Sequence, residues 1–263
     1  MAPLDEAPAE PLHVGVDLGT AYLVLAVLDR DMQPLAGEYQ FAEVVRDGLV
    51  VDYLGAIDLL KEMKARVENR LGVQLTHAAS GFPPGVHQVE VRAMANVVEA
   101  VGLRCDTMVD EPSAANALLR LQNGAIVDVG GGTTGIAILQ DGEVVYTADE
   151  PTGGTHFSLV IAGAQDISFE AAEAMKVDPA EQARLFTAVR PVMEKVANIV
   201  ARHVAESQVK VEQLTFVGGT SAFPGMAAVI EDYTGLPTYI PERPVFVTPV
   251  GIAMNDKPLA EGN

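Results

Sequence analysis

The strongest constraint on the fold of this chain is a sequence pattern that occurs twice. Each copy has an apolar, β-branched strand with Asp near its end, a turn of Gly and Thr, and a second apolar strand. The copies span 13–28 and 125–139, and their aspartates, Asp17 and Asp128, lie 111 residues apart. Two apolar runs around a Gly-containing turn predict a β-hairpin. A repeat on this scale favours a duplicated α/β domain over a solenoid, whose repeats are roughly 20–50 residues long.

Helical patterns follow each predicted hairpin. Apolar periodicity together with Pro and Gly boundary signals predicts helices over 53–71, 88–101, 112–121, 158–164, 168–175 and 179–206. Pro191 is expected to kink or divide the last of these helices. The charged face of the first helix, over 61–68, is predicted to be solvated.

These elements predict two lobes of mixed α/β structure. The first lobe is expected over 12–122, with the segment 246–263 packing back onto it, and the second over 123–245. Residues 1–11 are acidic and rich in proline, and they are predicted to form a disordered tail.

The charge balance disfavours several classes of partner. The 263 residues include 17 Lys and Arg against 36 Asp and Glu, which gives a formal net charge of −19. Such a charge repels phosphate backbones and anionic lipid, so we expect no nucleic-acid or membrane partner. One cysteine, Cys105, excludes a disulfide within the chain and a multi-cysteine zinc site. The longest early apolar run is too short to span a bilayer, and no targeting signal is visible, so a cytoplasmic location is expected.

The chemistry of the two turns points to phosphate binding. Glycines without a Cβ let several backbone N–H groups approach phosphate oxygens, and threonine hydroxyls add donors. Asp17 and Asp128 can hold a hydrated Mg²⁺, which typically uses one or two carboxylates and keeps waters. A single hairpin of this kind would be explained by the structural needs of a turn and would not indicate a binding site. Two of them, with a third Gly-Gly-Thr turn at 218–220, favour a binding site.

A dinucleotide site is excluded by context. Residues 130–135 satisfy the G-x-G-x-x-G pattern, which must be followed by a helix whose N-terminus meets the pyrophosphate. The apolar residues 135–139 predict a strand there instead.

Four motifs, taken in order along the chain, resemble those of the actin-like ATPase superfamily, which includes sugar kinases, DnaK-type chaperones and actin. They are residues 14–22, 109–115, 126–134 and 216–221. The resemblance implies a duplicated two-lobe, ribonuclease H-like fold with compact small subdomains. It also implies that the protein binds ATP with Mg²⁺.

The resemblance assigns roles to individual residues. Asp17 and Asp128 match the catalytic aspartates that hold Mg²⁺ through waters. The positions expected to contact the nucleotide are Gly19, Thr20, Ala21, Gly130, Gly131, Gly132, Thr133, Thr134, Gly218, Gly219 and Thr220. Glu111 matches the acidic residue that orients the attacking water. The alternative for Glu111 is that it only caps the helix that opens at Pro112.

More narrowly, the chain resembles the EutJ family of chaperone-like proteins encoded with ethanolamine-utilisation enzymes. The matching stretches are 44–51, 76–79, 82–85, 130–138, 148–150, 152–154 and 247–249. The resemblance implies an accessory role, with enzymes or shell components of an ethanolamine-type pathway as partners, and association with a bacterial microcompartment.

Departures from the superfamily pattern predict slow hydrolysis. Ala21 replaces a threonine of the first loop, and Ala222 stands where chaperone relatives place an arginine near adenine. No equivalent of the catalytic lysine is found in the first lobe. Two alternatives stay open: a filament-forming, MreB-like protein, and a partner-binding module whose nucleotide site has decayed.

Overall fold

The structure is a computed structural model, and it describes residues 8–42, 44–46 and 49–258. Most of the predicted disordered tail, residues 1–7, lies outside the described residues, as does part of the 44–51 stretch. The chain divides into two compact units. Unit 1 contains the described residues up to Arg120 and those from Phe246 onward, and unit 2 contains Leu121–Val245.

The strands within the described ranges are β1 (His13–Leu18), β2 (Tyr22–Leu28), β3 (Pro34–Phe41), β4 (Val45–Arg46), β5 (Leu49–Val50), β6 (His77–Phe82), β7 (Arg104–Asp110), β8 (Gly124–Val129), β9 (Thr134–Gln140), β10 (Glu143–Glu150), β11 (Leu214–Val217) and β12 (Thr238–Tyr239). The helices are α1 (Tyr53–Leu71), α2 (Gln88–Ala100), α3 (Glu111–Leu119), α4 (Gly154–Gln165), α5 (Phe169–Val177), α6 (Pro179–Ser207), α7 (Met226–Thr234) and α8 (Val247–Met254). Short 3-10 turns occupy Gly219–Ala222 and Pro244–Phe246.

The two units contain sheets of the same topology. The strand order is β3-β2-β1-β6-β7 in unit 1 and β10-β9-β8-β11-β12 in unit 2. In each sheet the first three strands are antiparallel and the last two run parallel to the central strand. The duplication predicted from the two hairpins is therefore confirmed, and β9 is the strand that excludes a dinucleotide fold.

In unit 1 the sheet is covered on both faces. Residues of β1 and β2 form one apolar cluster with α1 and α2. On the other face α8 lies against β1 so closely that a Cβ at Gly15 would come within 2.4 Å of the Pro249 carbonyl oxygen. A Cβ at Gly251 would likewise lie 1.8 Å from the Ala114 carbonyl oxygen, so α8 also packs tightly on α3.

In unit 2 the long helix α6 covers the sheet. Its apolar residues, including Val189, Val192 and Val196, are buried on both sides of Pro191, and the helix continues through that proline. The expected division of the helix is therefore wrong. Burial of one continuous apolar face outweighs the local cost of the proline, because tertiary packing supplies most helix stability in proteins. No helix among the described residues is long and apolar enough to cross a membrane.

Candidate functional site

In unit 1 the predicted phosphate loop is the turn between β1 and β2. Asp17 is partly exposed one residue before the end of β1. The Gly19 N–H donates to the Tyr22 carbonyl at 3.1 Å, and a Cβ at Gly19 would lie 2.7 Å from that same oxygen. The close approach therefore requires glycine. Thr20 and Ala21 form the partly exposed tip of the turn.

In unit 2 the turn between β8 and β9 repeats this geometry. The Gly130 N–H donates to the Thr133 carbonyl at 3.0 Å. Asp128 is again partly exposed, one residue before its strand ends. The matching hydrogen bond makes residues 131–132 the counterparts of residues 20–21. We call the turn over 130–133 the second phosphate loop.

The beginning of α4 holds the second phosphate loop by its carbonyl groups. The Gly154 N–H donates to the Gly130 carbonyl at 2.9 Å, and the Thr155 N–H donates to the Gly131 carbonyl at 2.7 Å. In a planar trans peptide the N–H points opposite to the carbonyl of the same unit. The N–H groups of Gly131 and Gly132 therefore point away from α4. Successive N–H groups on one side of a glycine turn form an anion-binding concavity.

Further contacts fix the same loop. A Cβ at Gly153 would lie 2.8 Å from the Gly130 carbonyl oxygen, so only glycine allows this approach. The Thr220 hydroxyl donates to the Gly130 carbonyl at 2.8 Å. Thr134 is fully buried, and its hydroxyl donates to the Thr152 carbonyl at 2.6 Å. Thr134 thus anchors the loop, and its burial disfavours the predicted role as a phosphate donor.

Asp128 lies beside the predicted nucleoside-binding turn. β8 and β11 are parallel, with Asp128 opposite Val217, so Gly218 follows directly at the same sheet edge. Gly218 has φ of 84°, and a Cβ there would lie 2.2 Å from Asp128 Oδ1. A second carboxylate near Asp128, that of Asp149, was not predicted. On β9, Gly135 is paired with Asp128 of β8 on one side and with Asp149 of β10 on the other.

The donor set of unit 2 fits a magnesium–phosphate group. Among the described residues, no cluster of three or more His, Cys, Asp or Glu side chains could enclose a metal ion. Mg²⁺ instead typically binds one or two carboxylates together with waters and substrate phosphates. Asp128 supplies a partly exposed carboxylate at the end of β8, and the glycine turn that follows it in sequence supplies the N–H groups, so the residues present fit this combination.

Glu111 lies at the corresponding edge of the unit 1 sheet. It is the first residue of α3, directly after β7, and β7 runs parallel to β6 and β1. A Cβ at Gly81 would lie 3.6 Å from Glu111 Cγ, so the Glu111 side chain lies close to β6. The N-cap of α3 is Asp110, whose carboxylate accepts from the Ser113 N–H at 3.0 Å. The N-cap role therefore belongs to Asp110, whereas Glu111 is an acidic residue of the first helical turn, where its charge can still act on the helix dipole.

Sequence reasoning missed a buried ion pair at the beginning of α4. Lys176 Nζ lies 2.6 Å from Glu173 Oε2 and donates to the Gly154 carbonyl at 3.2 Å. The Ser158 hydroxyl donates to the same Glu173 oxygen at 2.5 Å. Burial lowers the pKa of Lys176, and the Glu173 carboxylate partly offsets this. The available signal was the spacing of Glu173 and Lys176, three residues apart in α5, whose other residues except Glu170 are apolar.

Known proteins are similar to this chain in sequence and in fold. The family model of type IV pilus assembly protein PilM matches residues 64–248. The chain is 44% identical over 257 residues to ethanolamine utilization protein EutJ of Escherichia coli K12, covering 97% of this chain and 90% of that protein. The crystal structure of EutJ from Carboxydothermus hydrogenoformans has a TM-score of 0.91 and 45% identity, covering 95% of this chain and 91% of that one.

A more distant neighbour shows the fold alone. The crystal structure of MreB 5 of Spiroplasma citri bound to AMPPNP has a TM-score of 0.74 at 18% identity, covering 94% of this chain and 96% of that one. Together these neighbours confirm the predicted actin-like, duplicated α/β fold.

Proposed function

Because the chain belongs to the EutJ family of ethanolamine utilization proteins and to the family of type IV pilus assembly protein PilM, we propose that it binds ATP with Mg²⁺ and acts as a chaperone-like accessory protein. Its partners are enzymes or shell components of an ethanolamine-type pathway, and it associates with their microcompartment. The observation that carries the nucleotide proposal is the second phosphate loop, whose carbonyls are held by α4 so that the Gly131 and Gly132 N–H groups point away from it.

In unit 2 the proposed roles follow from these positions. The N–H groups of residues 131–132 and the Thr133 hydroxyl bind phosphate oxygens, and Asp128 binds hydrated Mg²⁺. Gly218, Gly219 and Thr220 form the nucleoside-binding turn. Glu173 and Lys176 support the beginning of α4, since Lys176 donates to the Gly154 carbonyl.

In unit 1 the turn at 19–21 is proposed to contact phosphate, and Asp17 is proposed to hold hydrated Mg²⁺. Glu111 orients the water that attacks the γ-phosphate, as carboxylates do at phosphoryl-transfer sites. Ala21 lacks the hydroxyl that a threonine would offer, so we propose that hydrolysis is slow.

Isothermal titration with ATP, with and without Mg²⁺, tests the nucleotide proposal. Asp128→Ala is expected to weaken the affinity for Mg-ATP more than the affinity for metal-free ATP, because it removes part of the metal shell. Asp232→Ala is the matched control, since it deletes an exposed carboxylate from α7 in the same unit. Equal Mg-ATP affinity in wild type and Asp128→Ala contradicts the role of Asp128. If the wild-type chain binds no ATP, the nucleotide proposal is wrong and the alternative of a partner-binding module with a decayed nucleotide site is favoured.

The accessory role has its own test. Enzymes of the ethanolamine pathway are heated with the wild-type chain, with and without Mg-ATP, and their aggregation is followed by light scattering. We expect the chain to slow aggregation in a nucleotide-dependent manner and Asp128→Ala to lose that dependence. Aggregation that is the same with and without the chain contradicts a chaperone-like role.

A further inference from the structure

A group of side chains away from the proposed nucleotide contacts ties β10 to α6. His203 is buried, and its Nδ1 lies 2.7 Å from the Tyr146 hydroxyl while its Nε2 lies 3.0 Å from Glu150 Oε1. Arg202 donates to the same Glu150 oxygen at 2.6 Å. Glu206 Oε2 is a further neighbour, 3.3 Å from His203 Nδ1. We call Tyr146, Glu150, Arg202 and His203 the β10–α6 latch.

The latch is directly connected to the second phosphate loop. Glu150 is the last residue of β10, and its partner on β9 is Thr134, the first residue after the loop. Two residues further on, the Thr152 carbonyl accepts from the Thr134 hydroxyl at 2.6 Å. Next along the chain, the Gly154 N–H donates to the Gly130 carbonyl at 2.9 Å. A short run of residues with backbone contacts to β9 and the loop therefore links Glu150 to residues 152–155.

We propose that Glu150 is a positioning residue for nucleotide binding, which holds the end of β10 on α6 so that residues 153–155 keep the second phosphate loop in its binding geometry. This inference rests on the proposed binding of Mg-ATP. The Glu150 side chain contacts His203 and Arg202, both of which lie on α6. Its effect is transmitted by four residues of backbone.

The electrostatics of the latch agree with this role. Hydrogen bonds from His203, and then from Arg202, lower the pKa of Glu150. The carboxylate is therefore charged at neutral pH and accepts from both donors. Because folding lowers the pKa of Glu150, the latch contributes its full stability at pH values above the ordinary carboxyl pKa. This contribution is lost as the pH falls through the lowered pKa of Glu150. Burial and the neighbouring Glu206 raise the pKa of Tyr146, which stays a neutral hydroxyl.

Two variants of Glu150 separate the hydrogen bonds from the rest of the side chain. Glu150→Ala removes the acceptor oxygen, whereas Glu150→Gln keeps an oxygen that can accept from His203 and Arg202. In the nucleotide-free protein, amide hydrogen exchange of residues 152–155 is expected to accelerate in Glu150→Ala and to stay near wild type in Glu150→Gln. Affinity for Mg-ATP is expected to fall on the order of tenfold in Glu150→Ala only.

Controls make the experiment decisive. Glu194→Ala removes an exposed carboxylate that pairs with Arg190 on the same helix, and it is expected to change neither exchange nor affinity. Arg202→Ala removes one exposed donor and is expected to give a smaller change in the same direction, should Glu150→Ala not fold.

If the amides of residues 152–155 exchange at the same rate in Glu150→Ala as in wild type, the inference is overturned. Exchange that accelerates equally in β8 also overturns it, because that is a general loss of stability. Absence of Mg-ATP binding by wild type overturns the proposed function, while the exchange measurement still tests the link from the latch to the loop.

Discussion

We propose separate roles for two adjacent carboxylates at the β7–α3 junction. Asp110 accepts from the Ser113 N–H and caps α3, whereas Glu111 occupies the first helical position beside Gly81. Capping interactions act on stability and a water-orienting carboxylate acts on turnover, so the two roles are separable by mutation.

We expect Glu111→Gln to reduce ATP hydrolysis while leaving ATP affinity and the melting temperature nearly unchanged, because the contact matters chiefly as water attacks. Asp110→Ala is the matched control, and it should cost about 1 kcal/mol of stability by removing the N-cap. A single-turnover assay with labelled ATP is the measurement, since slow hydrolysis is proposed. If wild type binds ATP but hydrolyses it no faster than a buffer blank, the proposed ATPase role is wrong.

Single residues were predictable from sequence where the signal was local. Asp17, Asp128 and the glycines of both turns stand in short motifs, and the hairpins formed as those motifs require. The solvated face predicted over 61–68 is wrong at Lys64, whose ammonium lies 2.7 Å from Glu68 with only 16% of its side chain exposed. Glu68 also accepts from the Leu75 N–H, a tertiary contact that helical periodicity does not contain.

At the scale of elements, the periodicity of apolar residues predicted helices well where those residues form the buried face of the helix. The stretch 53–71 is helix α1 with the same bounds. Helix α4 begins at Gly154 instead of 158, because two glycines are weak helix formers and disfavour that start in the sequence. The Gly154 and Thr155 N–H groups, which have no partner within a helix, are instead satisfied by the second phosphate loop. The loop therefore specifies the beginning of the helix.

This dependence predicts that Gly154→Ala disturbs the loop. A Cβ at this position would lie 2.5 Å from Thr220 Oγ1 and 3.0 Å from Lys176 Nζ. Either the beginning of α4 must shift, or these side chains must move and give up their hydrogen bonds to the carbonyls of Gly130 and Gly154. We expect weaker Mg-ATP binding by titration calorimetry. Gly163→Ala on the same helix meets nothing within 4 Å, and it should leave binding unchanged and stabilise the protein by roughly 0.5–1 kcal/mol. Equal affinity in the two variants contradicts the role of α4.

At the scale of the whole molecule, unit 1 is completed by a distant part of the chain. Helix α8 packs on β1 and α3, and Asp256 follows it. The Asp256 carboxylate accepts from the Val14 N–H at 2.9 Å and lies 2.7 Å from His77 Nδ1. The duplicated hairpins predicted the two sheets, but no local pattern indicates a bond between residues 242 positions apart.

Asp256→Ala is therefore expected to destabilise unit 1 at its first strand. Asp256 is buried, and its loss leaves the Val14 N–H at the beginning of β1 without this acceptor. An unsatisfied buried donor costs about 1–3 kcal/mol, which urea unfolding would register as a lower midpoint. Lys257→Ala changes the exposed neighbouring residue and should stay within about 0.5 kcal/mol of wild type. If both variants unfold at the wild-type midpoint, the Asp256 carboxylate does not stabilise the attachment of the segment after α8 to β1, and the remaining contacts of that segment and of α8 hold it there.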